Sequence, residues 1–95
     1  MNRLVITATL QQSAAMRYTP AGIPALDMVL AHESMQTEMG TERTAALTLK
    51  AVAFGTLAER LSVQSLAVPL RFLGFLSNTR NGKGVVFHVQ DFKPI

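Results

Sequence analysis

The sequence predicts an all-β fold, on three observations. Apolar and polar residues alternate with period two through five segments, turns bearing proline or glycine separate most of them, and a single stretch between the third and fourth segments carries helix signals. Five strands with one short helix between strands 3 and 4 is the order of an OB-fold, a five-stranded Greek-key barrel that binds oligonucleotides on its second and third strands and adjoining loops. An SH3-like barrel is the competing architecture, but that fold usually lacks a helix at this point.

The first strand puts Leu4, Ile6, Ala8 and Leu10 on one face and Thr7, Thr9 and Gln11 on the other, the pattern of a half-buried strand. Thr19-Pro20-Ala21-Gly22-Ile23-Pro24 then breaks it, because two prolines fix φ and remove backbone donors while Gly22 permits a turn. The second strand runs from about Ala25 to Ser34, with Leu26, Met28 and Leu30 on one face, and the polar stretch Met35 to Glu42 reads as a hairpin loop. The third, about Arg43 to Phe54, sets Leu47, Leu49, Ala51 and Ala53 against Ala46, Thr48, Lys50 and Val52. Gly55 ends it. Thr56 to Leu61 has the content of a short helix: Thr56 as cap, Glu59 completing a capping box, and Leu57 with Leu61 on one face. The fourth strand covers about Leu66 to Ser77, where Gly74 marks a bend or a close backbone approach. The fifth covers about Val85 to Phe92, after a loop in which the Asn81-Gly82 turn signal lies between Arg80 and Lys83.

The 95 residues hold one domain, 1–95, since a second core would not fit in that length. A chain this short buries only about 60 to 65% of its unfolded surface, so a dimer interface would add to its stability. Residues are 48% hydrophobic and 16% charged, which leaves apolar surface for a partner to cover. No apolar run approaches the roughly 18 residues of a membrane span, and the N-terminus lacks the apolar core of a signal peptide, so a cytoplasmic protein is expected.

Catalytic and metal chemistry find no residues to carry them. The chain has no cysteine, which removes disulfides, thiol catalysis and thiolate zinc sites. His32 and His88 lie on different strands with no carboxylate pair to complete a metal site, and Gly82-Lys83-Gly84 is too short for a phosphate-binding loop. The expectation is a binding module, not an enzyme, without cofactor or metal.

A net charge of +3 favours an anionic partner. Arg17, Arg43, Lys50, Arg80 and Lys83 would surround one groove of the barrel and neutralise phosphates without reading bases. Tyr18 and Phe75 are the rings to consider as stacking platforms, Tyr18 for its polar neighbours, although core packing competes for Phe75 in its apolar run. Phe54, Phe87 and Phe92 are assigned to the core.

Several segments also carry a family resemblance. Asn2-Arg3-Leu4-Val5-Ile6, Arg17-Tyr18-Thr19-Pro20-Ala21-Gly22, Ala53-Phe54-Gly55-Thr56-Leu57-Ala58-Glu59 and Leu73-Gly74-Phe75-Leu76 are spaced like the matching segments of bacterial single-stranded-DNA-binding proteins. Within that superfamily the chain most resembles the PriB family of primosomal replication proteins, in its length, its Gly22-Ile23-Pro24 and its Leu30-Ala31-His32-Glu33-Ser34. The resemblance implies a homodimer, formed by the first strands pairing across a two-fold axis. That dimer would bind single-stranded DNA and help the PriA helicase and other primosome proteins reload the replication machinery. It also implies that Arg17, Arg80, Lys83 and Lys50 stand where relatives place DNA-contacting cations.

Two positions depart from the family. Ala46 sits where better-known PriB proteins have a stacking tryptophan, and Glu33 where they have an arginine, so weaker binding is expected. The major replicative binding proteins also carry an acidic-tipped tail and tryptophans on the DNA face; this chain has neither, which implies recruitment through the barrel surface. The alternatives are a protein-interaction adaptor with a vestigial groove and an RNA-binding barrel. The latter would need the dense aromatic patch on strands two and three that this sequence lacks.

Overall fold

The computed structural model describes residues 1–95 and turns the alternating segments into strands β1 (Leu4–Ser13), β2 (Arg17–Tyr18), β3 (Pro24–Glu38), β4 (Thr41–Phe54), β5 (Pro69–Asn78) and β6 (Val85–Pro94), with helix α1 (Thr56–Ser62) between β4 and β5. β1 pairs antiparallel with both β3 and β5, β5 with β6, and β3 with β4. A parallel contact at Ala51↔Phe87 and Val52↔His88 joins β4 to β6 and closes the barrel. This is the OB-fold, with the helix between the third and fourth barrel strands as expected; β2 is a short addition to β3.

One face of each strand supplies the interior. Leu10, Leu26, Leu30, Leu61, Leu70, Phe72 and Phe87 are buried completely or nearly so, and each such side chain contributes about 1.5–3 kcal/mol by leaving water. The helix closes one end of the barrel with Ala58 and Leu61, and the Arg60 guanidinium lies 4.8 Å over the Phe92 ring.

Gly74 has a steric reason to be glycine. A Cβ there would come within 1.9 Å of the His88 carbonyl oxygen, and the β5–β6 register slips between Leu73 and Gly74, so the strands meet closely where β5 bends.

Three expectations need correction. Met35 to Glu42 is not a loop: β3 and β4 run on as a two-stranded ribbon to Glu38 and Thr41, joined at Met39 and Gly40, whose positive φ angles of 50° and 76° are those of a type I′ turn. A ribbon wet on both faces shows no apolar alternation, so composition reads it as loop. Thr56 does not cap the helix; Gly55 occupies the N-cap at φ 70°, still donating its N–H to the Pro24 carbonyl, and no side-chain cap forms. The fourth barrel strand begins at Pro69, not Leu66, because Ala67 adopts a left-handed φ of 64° and donates to the Leu10 carbonyl from outside the ladder.

Candidate nucleic-acid interface

Cross-strand partners share a face of a sheet, so Asp27↔Val52, Val29↔Lys50, Ala31↔Thr48 and Glu33↔Ala46 form one continuous outer strip on β3 and β4. A bulge in β1 extends it. Leu10 pairs with Leu30 but Gln12 with Val29, which leaves Gln11 as the extra residue and turns Gln12 from the core side to the strip's side.

The strip, the β1 bulge and the loop after β5 enclose a concavity of about 900 Å³ whose lining includes Gln12, Arg17, Asp27, Lys50, Phe54 and Arg80. A second concavity shares Val29, Lys50 and Thr79 with the first and continues to Lys83. The two make one groove, with Lys50 in the middle and Arg80 and Lys83 along one bank. Lys50, Arg80 and Lys83 have no anionic partner; the ion pairs of the molecule are Arg17–Asp27 and Arg43–Glu38.

The bank is held by its own hydrogen bonds. Thr79 Oγ1 donates to Asn81 Oδ1 at 2.7 Å, and the same oxygen accepts the Lys83 N–H at 3.0 Å. The Gly82 N–H donates to the Thr79 carbonyl, which puts Arg80 and Asn81 at the corner of a turn, with Gly82 at φ 72° after it. Asn81 stays at negative φ, so the Asn-Gly signal marks the turn without being its corner pair.

Two aromatic rings, Phe54 and His88, also line the first concavity. His88 stacks on Phe75, with centroids 4.7 Å apart and planes 6° from parallel, and the Phe54 ring lies 6.2 Å from His88. Phe54 is 42% exposed, which corrects its assignment to the core; Phe87 and Phe92 are buried as assigned. The signal was present in the sequence, since Phe54 falls on the same parity as Lys50 and Val52. His88 likewise falls opposite in parity to Phe87 and Val89. Gln12 could not be found that way, because a bulge inverts the parity that sequence counting assumes.

The remaining candidates separate. Arg17 reaches the groove but is engaged: its Nε and Nη2 donate to the two carboxylate oxygens of Asp27 at 2.6 and 3.1 Å. The guanidinium holds the Asp27 carboxyl below its ordinary range chiefly through these hydrogen bonds, with partial burial opposing and its charge adding. Tyr18, next along β2, is exposed and lines neither concavity. Arg43 lies out on the β3–β4 ribbon, 3.7 Å from Glu38, also away from both. The five cations therefore do not surround one groove; four of them do.

Comparison with known proteins bears on this groove. A family model described as another single-strand binding protein family matches residues 2–91. The replication restart protein PriB of Bordetella pertussis is 41% identical over 96 aligned residues, which span 100% of this chain and 90% of that protein. The crystal structure of PriB from Ralstonia solanacearum superposes with a TM-score of 0.90 at 33% identity, covering 99% of this chain and 97% of that one. The single-stranded DNA binding protein from Thermus aquaticus shares the fold at a TM-score of 0.78 and 24% identity, this chain matching 50% of it.

Proposed function

The chain belongs to the PriB family of replication restart proteins within the single-strand binding superfamily, and from that premise we propose that it binds single-stranded DNA, without sequence preference, as an accessory to replication restart. One observation carries the reading: three unpaired cations, Lys50, Arg80 and Lys83, run along a groove whose lining also includes the exposed ring of Phe54. Cations spaced along a groove track a phosphate backbone, and a ring beside them stacks any base, which is how sequence-tolerant single-strand binding works. The affinity is modest, because Ala46 offers no ring and Glu33 adds an anion to the same strip.

The binding unit is a homodimer in this reading. Leu4 to Ala8 pair with β5 on one side, while β3 meets β1 only at Thr9 and beyond, so the other edge of β1 is open to a second copy. Part of that edge is occupied by the His32 ring, whose Nδ1–H donates to the Thr7 carbonyl at 2.6 Å while Nε2 accepts from Ser34 Oγ at 2.8 Å. The protein works in the cytoplasm as a binding module, and the PriA helicase is the partner it assists. Fluorescence anisotropy with labelled single-stranded and duplex DNA tests the reading: preference for the single strand supports it, and binding to neither sinks it.

A second reading, an adaptor for another protein, draws on the ribbon. Glu33, Glu38 and Glu42, half of the chain's six acidic residues, lie on or beside it, with Met35 and Met39 exposed among them. That surface repels DNA and suits a basic protein partner.

A further inference from the structure

The geometry points to Asp27 as a gate on the groove: its carboxylate occupies the Nε–Nη2 edge of Arg17 in the manner of a phosphate, and nucleic acid gains that edge only by displacing it. The inference rests on the single-strand reading and deepens it. Arg17 is the one groove cation with an anionic partner, and the pairing takes two of its donors, Nε and Nη2, in the fork geometry that a guanidinium also offers to phosphate.

The two partners are held unequally. Asp27 sits within the long strand β3, opposite Val52, and its backbone carbonyl accepts the Ala14 N–H at 2.9 Å. Arg17 belongs to β2, which is tied to β3 by two residue pairs only. The carboxylate is therefore the fixed member, and it stands in the lining of the same concavity as Lys50 and Arg80. Both side chains are half exposed, so a phosphate can reach the pair, and it finds the Nε and Nη2 donors of Arg17 already taken by a negative charge. A carboxylate that oriented Arg17 from behind would help binding. One that takes its donors on the groove competes with the backbone for them.

Removing the carboxylate charge should add one phosphate contact per protomer. At about −0.7 in log–log salt slope per phosphate, that contact is worth about fivefold in affinity at about 0.1 M salt. The test is a double-mutant cycle on the full chain, Asp27→Asn, Arg17→Ala and both, each titrated against fluorescein-labelled oligo(dT) over a salt series, with thermal melts to establish folding. The gate predicts that D27N binds about fivefold tighter with a slope steeper by about 0.7, that R17A alone weakens binding by leaving the Asp27 charge unpaired in the groove, and that D27N gains clearly less in the R17A background, the difference being the Arg17 contact. Should D27N melt early, D27S repeats the test with a shorter uncharged side chain. Unchanged or weaker binding by D27N overturns the gate while leaving the single-strand reading standing. An equal gain with and without Arg17 also overturns it, since generic charge removal then accounts for the effect. Binding by none of the proteins overturns the single-strand reading and the gate with it.

Discussion

Glu33 and Ala46 stand directly opposite each other across the β3–β4 ladder, on the strip that also carries Lys50. The two positions that depart from the family pattern are thus one site: a missing ring and an anion share a patch next to the cationic groove. Ala46→Trp should tighten single-strand binding by about 1–3 kcal/mol if its ring meets a base. Glu33→Arg should tighten it further and steepen the salt slope by about 0.7. Anisotropy titration of each variant and the pair checks this; unchanged affinity with an intact fold would mean that the strand does not extend beyond Lys50.

Phe54 and Phe87 test the distinction between groove and core. Phe54→Ala should cost about 1–3 kcal/mol of DNA affinity and little stability, because the ring is 42% exposed at the end of β4. Phe87→Ala should cost about 3–5 kcal/mol of stability, because that ring is fully buried. Thermal melts and titrations on both variants should give opposite profiles.

How much of this was legible in the sequence follows from which signals depend on local periodicity. Strand parity located the core correctly for Leu10, Leu26, Leu30 and Phe87, because alternation is what a half-buried strand must show. The same parity places Phe54 on the outer face with Lys50 and Val52, against its assignment to the core. The cations on the loop after β5 were legible, since the turn signal and the charges sit together; the Arg17–Asp27 pair was not, because residues ten apart meet only when β2 folds back on β3. The ribbon beyond Ser34 was hidden for the opposite reason, that exposed strands need no apolar pattern.

The open edge of β1 predicts twice the chain mass by light scattering at micromolar concentration. Val5, 53% exposed on that strand, is the place to break the dimer, and Val5→Lys should yield a folded monomer. A monomeric mass for the parent chain would contradict the pairing.

Acid should weaken the fold partly through Asp27. Its carboxyl titrates below the ordinary range in the folded chain and near pH 4 when unfolded, so its stabilising contribution is complete above that pH and is lost as pH falls through the folded value. The pair is half exposed, and solvent screening keeps the contribution below about 1 kcal/mol. Melts at neutral and acidic pH should show a slightly smaller acid loss for D27N than for the parent; a larger loss would contradict the assignment.

The salt dependence of single-strand binding tests the central claim most directly. With Lys50, Arg80 and Lys83 as the free cations of the groove, the parent should lose affinity linearly on a log–log plot with a slope near −2 per protomer, taking about −0.7 per phosphate. Arg80→Ala with Lys83→Ala should flatten that slope by about 1.4 and weaken binding to all sequences alike, because backbone contacts carry no base information. A double variant that keeps the parent's affinity and slope would contradict the account, and the loop after β5 would then be free to serve a protein partner instead.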